Sequence, residues 1–323
     1  MVKASQSNRT APGAKSLRGG PTGDWTGALR PVKRSKRDTP VAFAMLAPAL
    51  VGITVFVIVP LVMSSYLSFF DWNFYKDSVF VGLKNFRLVV TDNLFIAAVG
   101  RGLLFAVMVV PIQLLIAFVF ASLVAAVGKK VATVLKVSVF IPTVISTVIA
   151  SIIFILIYQY RGGIANWVIG FFGIKPQAWL ANPHLALPSM AVPALWLGMG
   201  ISCLIMLSGL MDIPASYYEA AEMDGANWFK RTFYITIPML RNIILYLIIT
   251  GFVGCVQQFE LPLVLTQGGP LQATTLPNLL IFLHFRNDVT VGYSIAAALL
   301  LFIVMGAISA LIFRFLNSAR SEE

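Results

Sequence analysis

Ser216-Tyr217-Tyr218-Glu219-Ala220-Ala221-Glu222-Met223-Asp224-Gly225-Ala226-Asn227-Trp228-Phe229-Lys230-Arg231-Thr232-Phe233-Tyr234-Ile235-Thr236-Ile237-Pro238 is a charged island between two apolar segments. Ser216 followed by Glu219 has capping-box spacing: the hydroxyl takes a free amide of the first turn and the carboxylate reaches back to the cap. A short helix is predicted to start there. Gly225 stops it in a left-handed conformation without a Cβ penalty, and Asn227 is placed to cap a second short helix with Phe229 and Phe233 on one side. Ala220 and Ala221 leave the first helix almost bare, so another protein can approach its backbone. The stretch reads as an elbow with a docking face.

What surrounds the elbow is a membrane protein. Of 323 residues 58% are hydrophobic and 11% charged, against about 25% charged in soluble domains. Apolar runs long enough for a hydrocarbon core of about 30 Å fall at 41–70, 95–127, 137–159, 188–211, 242–265 and 291–315, roughly six spans in an all-α fold. The net charge of +11 follows topology. Nine basic residues from Lys3 to Arg37 precede the first span. Lys129, Lys130 and Lys136 follow the second, Lys230, Arg231 and Arg241 follow the fourth, and Arg314 and Arg320 close the chain. The alternate loops hold fewer: Lys76, Lys84 and Arg87, with Arg101 at the boundary of the second span, then Arg161 and Lys175, then Arg286. The positive-inside rule puts both termini and the elbow in the cytoplasm. A nucleic-acid surface would interleave aromatics with the basic residues, and the basic tail has only Trp25.

Residues 1–40 are rich in Ser, Gly, Pro, Lys and Arg and lack an aliphatic run, so a disordered cytoplasmic tail is expected, followed by a membrane domain over 41–323. The first span is too long for a cleaved signal peptide. Ile141-Pro142 is expected to kink the third span. Gly198, Gly200, Ser202 and Cys203 suit close helix packing in the fourth. In the fifth, Thr250, Gly254, Gln257, Gln258 and Leu261 recur at helical spacing, and this small or polar stripe should face the protein interior. Glu260 is an acid inside an apolar run, where both pathway lining and simple interfacial placement stay open. Thr266-Gln267-Gly268-Gly269-Pro270 is a turn by composition. His184 and His284 are too far apart in sequence to suggest a metal site, and Cys203 and Cys255 read as small interior residues.

Glu219-Ala220-Ala221, three residues, Gly225, nine residues, Ile235, two more and Pro238 resemble the signature loop of permease subunits of ATP-binding-cassette importers. Trp196, Gly209-Leu210-Met211-Asp212-Ile213-Pro214, Gly268-Gly269-Pro270 and Gly292-Tyr293 resemble the carbohydrate-uptake branch of that family, the maltose and glycerol-phosphate type. The likeness runs from about Phe43 to the end of the chain. It implies a type I importer transmembrane domain with its coupling loop at 212–240. That loop would seat in a cleft of a separate ATPase through Glu219, Ala220, Ala221, Asp224, Gly225 and Ala226, with Pro238 closing the motif. Glu219 would either close its own cap or meet a basic residue of the ATPase, and Phe229 and Phe233 would secure the loop to the bundle. Three departures stand out: Ile237 for a leucine, Asn242 where a second proline is common, and Gln267 for a glycine.

The chain lacks a phosphate-binding Gly-x-x-x-x-Gly-Lys-Ser/Thr loop, so it is expected to bind no cofactor and to perform no covalent chemistry. ATP and magnesium would belong to the partner ATPase. A second permease chain would complete the pathway, and an extracytoplasmic solute-binding protein would deliver a carbohydrate. The pathway candidates are Trp196, Gln257, Gln258 and Glu260, with hydrogen bonding between helices an equally good role for the glutamines. The competing reading, an ion-coupled secondary transporter, calls for inverted repeats and several intramembrane acids, which the chain does not display.

Overall fold

A computed structural model of the chain describes residues 38–72, 77–287 and 291–318. It divides into two units, one up to Val59 and one from Pro60 onward. Of the tail expected over residues 1–40, residues 38–40 are already helical and the rest lies outside the described residues, as do Lys76 and Arg320.

The first unit holds helix α1 (Asp38–Ile53), which runs through Pro48 into a π-helical turn at Thr54–Ile58. The second unit begins within α2 (Val59–Leu67) and continues through a short antiparallel pair, β1 (Phe70–Asp71) and β2 (Val79–Phe80), to α3 (Lys84–Thr91), α4 (Asn93–Ala126), α5 (Lys129–Val144), α6 (Thr147–Ile157), α7 (Ile164–Gly170) and α8 (Pro183–Met211). The elbow contains α9 (Ala215–Met223), α10 (Trp228–Arg231) and α11 (Ile237–Met239), and α12 (Arg241–Val256), α13 (Glu260–Leu265), α14 (Pro277–Asn287) and α15 (Val291–Ser318) follow. Five helical stretches are long and apolar enough to cross a membrane, at Phe43–Leu67, Asn93–Ala126, Pro183–Met211, Arg241–Leu265 and Val291–Arg314. The bent pair α5–α6 makes a sixth if counted as one span.

Helices α4 and α8 are the axis of the second unit. Each starts on a side-chain cap: Asp92 accepts from the Leu94 amide at 2.8 Å and Asn182 from the His184 amide at 2.9 Å, satisfying first-turn donors that have no helical partner. Two core clusters stack along α4. One gathers Phe105 and Val109 with Met190, Val256 and Leu261; the other gathers Ala117 and Ala121 with Cys203, Met206 and Leu240. Glycines set how closely the helices approach. A Cβ on Gly200 would lie 2.8 Å from the Val139 carbonyl oxygen of α5, and one on Gly209 would collide with Ile243 of α12. The packing role expected of the small residues in the fourth span is what these contacts display.

Two spans differ from a straight reading. The third starts at Lys129, two turns before the expected 137, and its two halves meet at 96°. The kink falls at Ile145-Ser146, beyond Pro142, because the Ile145 amide bonds back to the Pro142 carbonyl and Ser146 caps a new helix at the Val148 amide. The fifth is not one helix. It stops at Val256 and restarts at Glu260, so the stripe drawn through Thr250, Gly254, Gln257, Gln258 and Leu261 does not share a face. Leu261 is fully buried, whereas Thr250, Gly254 and Gln257 are exposed.

The later motifs buttress the far end of the bundle from the elbow. Gly292 leaves room for the Phe70 carbonyl and the Asn85 amide, either of which a Cβ would strike. Tyr293 donates to the Asp92 carboxylate, joining α15 to the cap of α4. In the turn after α13, Gln267 adopts φ +51° and Gly268 φ +84°, so the glutamine holds a conformation that glycine takes at no cost. Thr266 and Thr274 hydroxyls pair at 2.6 Å, Thr275 donates to the Gly268 carbonyl, and Arg101 donates to the Thr275 carbonyl at 2.8 Å. Cys203 and Cys255 are buried free thiols. His184 is exposed, and His284 stands against the Tyr293 ring.

Candidate functional site

The elbow forms, by a different start from the one expected. Helix α9 begins at Ala215, and its N-cap is Pro214, which makes no side-chain cap bond. Ser216 is therefore already inside the helix and the Ser216/Glu219 capping box is absent. Pro214, at φ −60° and ψ 134°, sets the entry by its ring instead of by a hydroxyl. Glu219 is exposed and has neither a hydrogen bond nor an ion pair among the described residues, which leaves its carboxylate free to meet something outside the chain.

The stop is as the sequence reading has it. Gly225 sits at φ +70°, its amide donates to the Glu222 carbonyl at 3.0 Å, and the Ala226 amide donates to Ala221 at 2.9 Å. This is the paired bonding of a glycine-terminated helix. Asn227 caps α10 by accepting from the Lys230 amide at 2.9 Å. Glu219, Ala220, Asp224, Gly225 and Pro238 are exposed, and Ala221 and Ala226 half-buried.

Phe229 and Phe233 do not secure the loop: both are more than 60% exposed. A π-helical turn at Thr232–Thr236 follows α10, and the wider turn brings Thr232 and Thr236, not the phenylalanines, onto the buried face. Attachment comes from other side chains. The Tyr218 and Thr236 hydroxyls pair at 3.0 Å, and Arg231 stands 3.7 Å from the Glu222 carboxylate. Tyr217, Met223, Trp228 and Tyr234 add to an exposed, mostly aromatic rim.

A recess of about 330 Å³ opens midway along the bundle where α4, the α5–α6 bend, α8 and the end of α12 converge. Its wall carries Gln113, Thr143, Thr147, Gly198, Gly251 and Gln258. The Gln113 amide nitrogen donates to the Gly198 carbonyl at 3.0 Å and to Ser202 at 2.7 Å, so the side chain is fixed in place. Backbone near the bend and at Gln258 is not helical, as membrane proteins allow where chain lines a cavity or is buried in protein.

Of the four pathway candidates, Gln258 lines this recess. Gln257 is exposed with its carbonyl accepting from Asn278 at 2.8 Å, Glu260 is exposed in the first turn of α13, and Trp196 packs against Phe154 at 5.8 Å between ring centres. Gln113, Thr143 and Thr147 were not singled out by the sequence reading. Gln113 had a signal, being the one amide in the interior of a 34-residue apolar helix; the threonines had none. Among the described residues no three His, Cys, Asp or Glu side chains gather into a metal site.

Residues 93–322 match the family described as "Binding-protein-dependent transport system inner membrane component". A trehalose/maltose transport system permease protein of Thermococcus litoralis is 30% identical over 82% of this chain and 90% of its own length. An arabinooligosaccharides transport system permease protein of Bacillus subtilis is 30% identical over 89% and 91%, and an osmoprotective compounds uptake permease protein of a Synechocystis strain is 32% identical over 80% and 93%. Among solved structures, a bacterial ABC transporter involved in import of the acidic polysaccharide alginate has a TM-score of 0.75 at 20% identity, covering 88% of this chain and 96% of that one. The alginate transporter in complex with a periplasmic protein carrying an alginate pentasaccharide superposes with a TM-score of 0.71 at 21% identity. At these identities the two structures speak to the fold, an importer transmembrane domain.

Proposed function

We infer function from family membership: this chain belongs to the binding-protein-dependent transport system inner membrane component family and is a membrane-spanning permease. That sets aside the ion-coupled alternative. We propose what it carries and how it is driven. The cargo is a sugar or oligosaccharide, a reading supported by relatives whose names specify trehalose, maltose and arabinooligosaccharides. A polyol is the second choice, supported by the osmoprotectant relative. An extracytoplasmic binding protein presents the cargo, and a second permease chain supplies the other half of the pathway. A cytoplasmic ATPase binds and hydrolyses ATP with magnesium, so this chain's own part is mechanical. Both termini lie in the cytoplasm, on the side of the elbow and its basic residues.

The observation that carries the coupling role is the elbow: an exposed short helix with a bare Ala220 face, an unpaired Glu219 and a glycine-locked end. An ATPase that closes on ATP would push this helix and rock the bundle between inward-open and outward-open states. The recess serves as the passage. The fixed Gln113 keeps its side-chain carbonyl oxygen to accept, and Gln258 and the threonine hydroxyls can donate and accept, which suits a hydroxyl-rich solute. The test is to purify the complex from its native host and measure uptake of candidate sugars with and without the ATPase. Stoichiometric ATPase and ATPase-dependent uptake are expected. A purified complex that lacks the ATPase, or cargo that still accumulates in cells without it, would refute the reading.

A further inference from the structure

Helix α9 does not lie flat on the bundle. Between the end of α4 and the elbow is a hollow of about 460 Å³, to which α9 contributes Tyr218 and the segment after it contributes Arg231 and Thr236. With no buried residue, α9 has little packed surface through which to press on its neighbours. Whatever moves it must act on the bundle through the covalent ends of the helix and through side chains that cross the gap.

Two links cross it. The Arg231–Glu222 pair is long at 3.7 Å and its carboxylate side chain is 73% exposed, so water screens it and it holds weakly. The other is better built. The Tyr218 ring packs against the cluster that contains Leu207, Ile213 and Leu240, and its hydroxyl meets Thr236 at 3.0 Å. Thr236 is 5% exposed, and its hydroxyl also reaches the Arg231 carbonyl at 3.3 Å, five residues back across the π turn. The Thr236 proton satisfies that carbonyl, and Tyr218 is left to donate to Thr236. Leu240, completely buried in the same cluster, immediately precedes α12, whose far end carries Gln258 in the recess.

We propose that the Tyr218–Thr236 hydroxyl pair is the strut that transmits motion of the docking helix to α12, making both positioning residues for transport. The proposal rests on the coupling function above and adds to it the route by which force leaves the elbow. The π turn fits this role: its wider winding is what orients the Thr236 hydroxyl toward both partners, and such turns recur at functional sites.

The test uses the complete importer in proteoliposomes, with Tyr218→Phe, Thr236→Val, their combination, and Thr236→Ser. The readouts are ATPase co-purification and ATP hydrolysed per substrate imported. Each single variant should retain the ATPase and consume about fivefold more ATP per substrate, the scale set by one net hydrogen bond. The double variant should be no worse than Thr236→Val alone, because that substitution already removes the link to Tyr218 along with the bond to the Arg231 carbonyl. Thr236→Ser should restore the ratio. An unchanged ratio in both single variants, effects that multiply in the double, or a serine variant as defective as valine would overturn the strut. So would loss of the ATPase from Tyr218→Phe, since the hydroxyl would then serve docking. A wild-type complex that lacks the ATPase would instead sink the coupling function itself.

Discussion

Replacing Gly225 with valine isolates what the end of the docking helix contributes. The glycine is at φ +70°, and a Cβ built on it meets nothing within 4 Å. The cost of a side chain is therefore backbone conformation alone, about 1–2 kcal/mol for an L-residue in the left-handed region and more for a β-branched one. That bias, roughly 5- to 30-fold, falls on the two bonds that end the helix, from the Gly225 amide to Glu222 and the Ala226 amide to Ala221. Losing them frees the last turn, which carries Ala221 and Glu222, and misaims Asp224. Global stability should change little, because the elbow is exposed and a non-glycine residue also restricts the unfolded chain, by about 0.4–1 kcal/mol. Membrane yield and thermal unfolding of the variant should thus match wild type, while substrate uptake per ATP hydrolysed in proteoliposomes falls at least several-fold. Gly225→Asn is the control, since asparagine tolerates the left-handed region, and it should sit near wild type. Normal uptake by the valine variant would refute the argument. So would an asparagine variant as impaired as valine, because the defect would then come from side-chain bulk at an interface and not from the turn.

Three further outcomes follow from the packing. Gly200→Ala drives a Cβ into the Val139 carbonyl of α5, which cannot rotate away, and should destabilise the purified complex by about 1–3 kcal/mol in thermal unfolding, whereas Gly254→Ala, with open space around it, should not. Gln258→Ala and Gln113→Ala should raise the KM for uptake without raising basal ATP hydrolysis, and Gln257→Ala should do neither; equal KM values for all three would separate the recess from the passage. Tyr293→Phe removes a hydroxyl bonded to the Asp92 carboxylate and should lower stability by about 1.5–3 kcal/mol, the range for hydrogen bonds to charged groups, with no change in the ATP-to-substrate ratio.

What the sequence disclosed depended on whether a feature was local. Apolar run length is a local property, and the span boundaries at 95–127, 188–211, 242–265 and 291–315 came within a few residues of the helices. Gly225 and Asn227 act on amides one to five positions away, so the stop and the second cap were readable too. The start of α9 was misread because two local signals competed: Ser216-x-x-Glu219 has the right spacing, but Pro214 stands two residues earlier and begins the helix first. Phe229 and Phe233 both point outward, because the face that the elbow buries runs through Thr232 and Thr236 of the π turn. The recess was largely hidden. Gln258 was visible as a polar residue in an apolar run, but Thr143 and Thr147 reach the same wall only because the chain turns by 96° between them. No spacing rule anticipates a turn that depends on Ser146 finding the Val148 amide.

The two sites have a common logic in where the backbone stops being helical. A straight bundle satisfies its amides and carbonyls internally and presents hydrocarbon, which gives a hydroxyl-rich solute nothing to bind. Here the interruptions at Ile145-Ser146 and at Gln257–Phe259 both border one recess, through Ile145 and Gln258. Broken helices near the middle of a membrane domain are how transporters place polar backbone beside a substrate. The same interruptions divide the spans into shorter rigid pieces. Helix α12 runs unbroken from Arg241, just beyond the elbow, to Val256, two residues from Gln258. On the coupling we propose, a push on its first turn would reach the wall of the recess, and the break between Val256 and Glu260 would let α12 and α13 pivot against each other. On that reading, the break beside the recess would also be the joint that lets the elbow shift one wall against the other. Joining α12 and α13 into one continuous helix should abolish transport while leaving ATP hydrolysis intact, and an uptake assay on a variant with helix-forming residues across Gln257–Phe259 measures it directly.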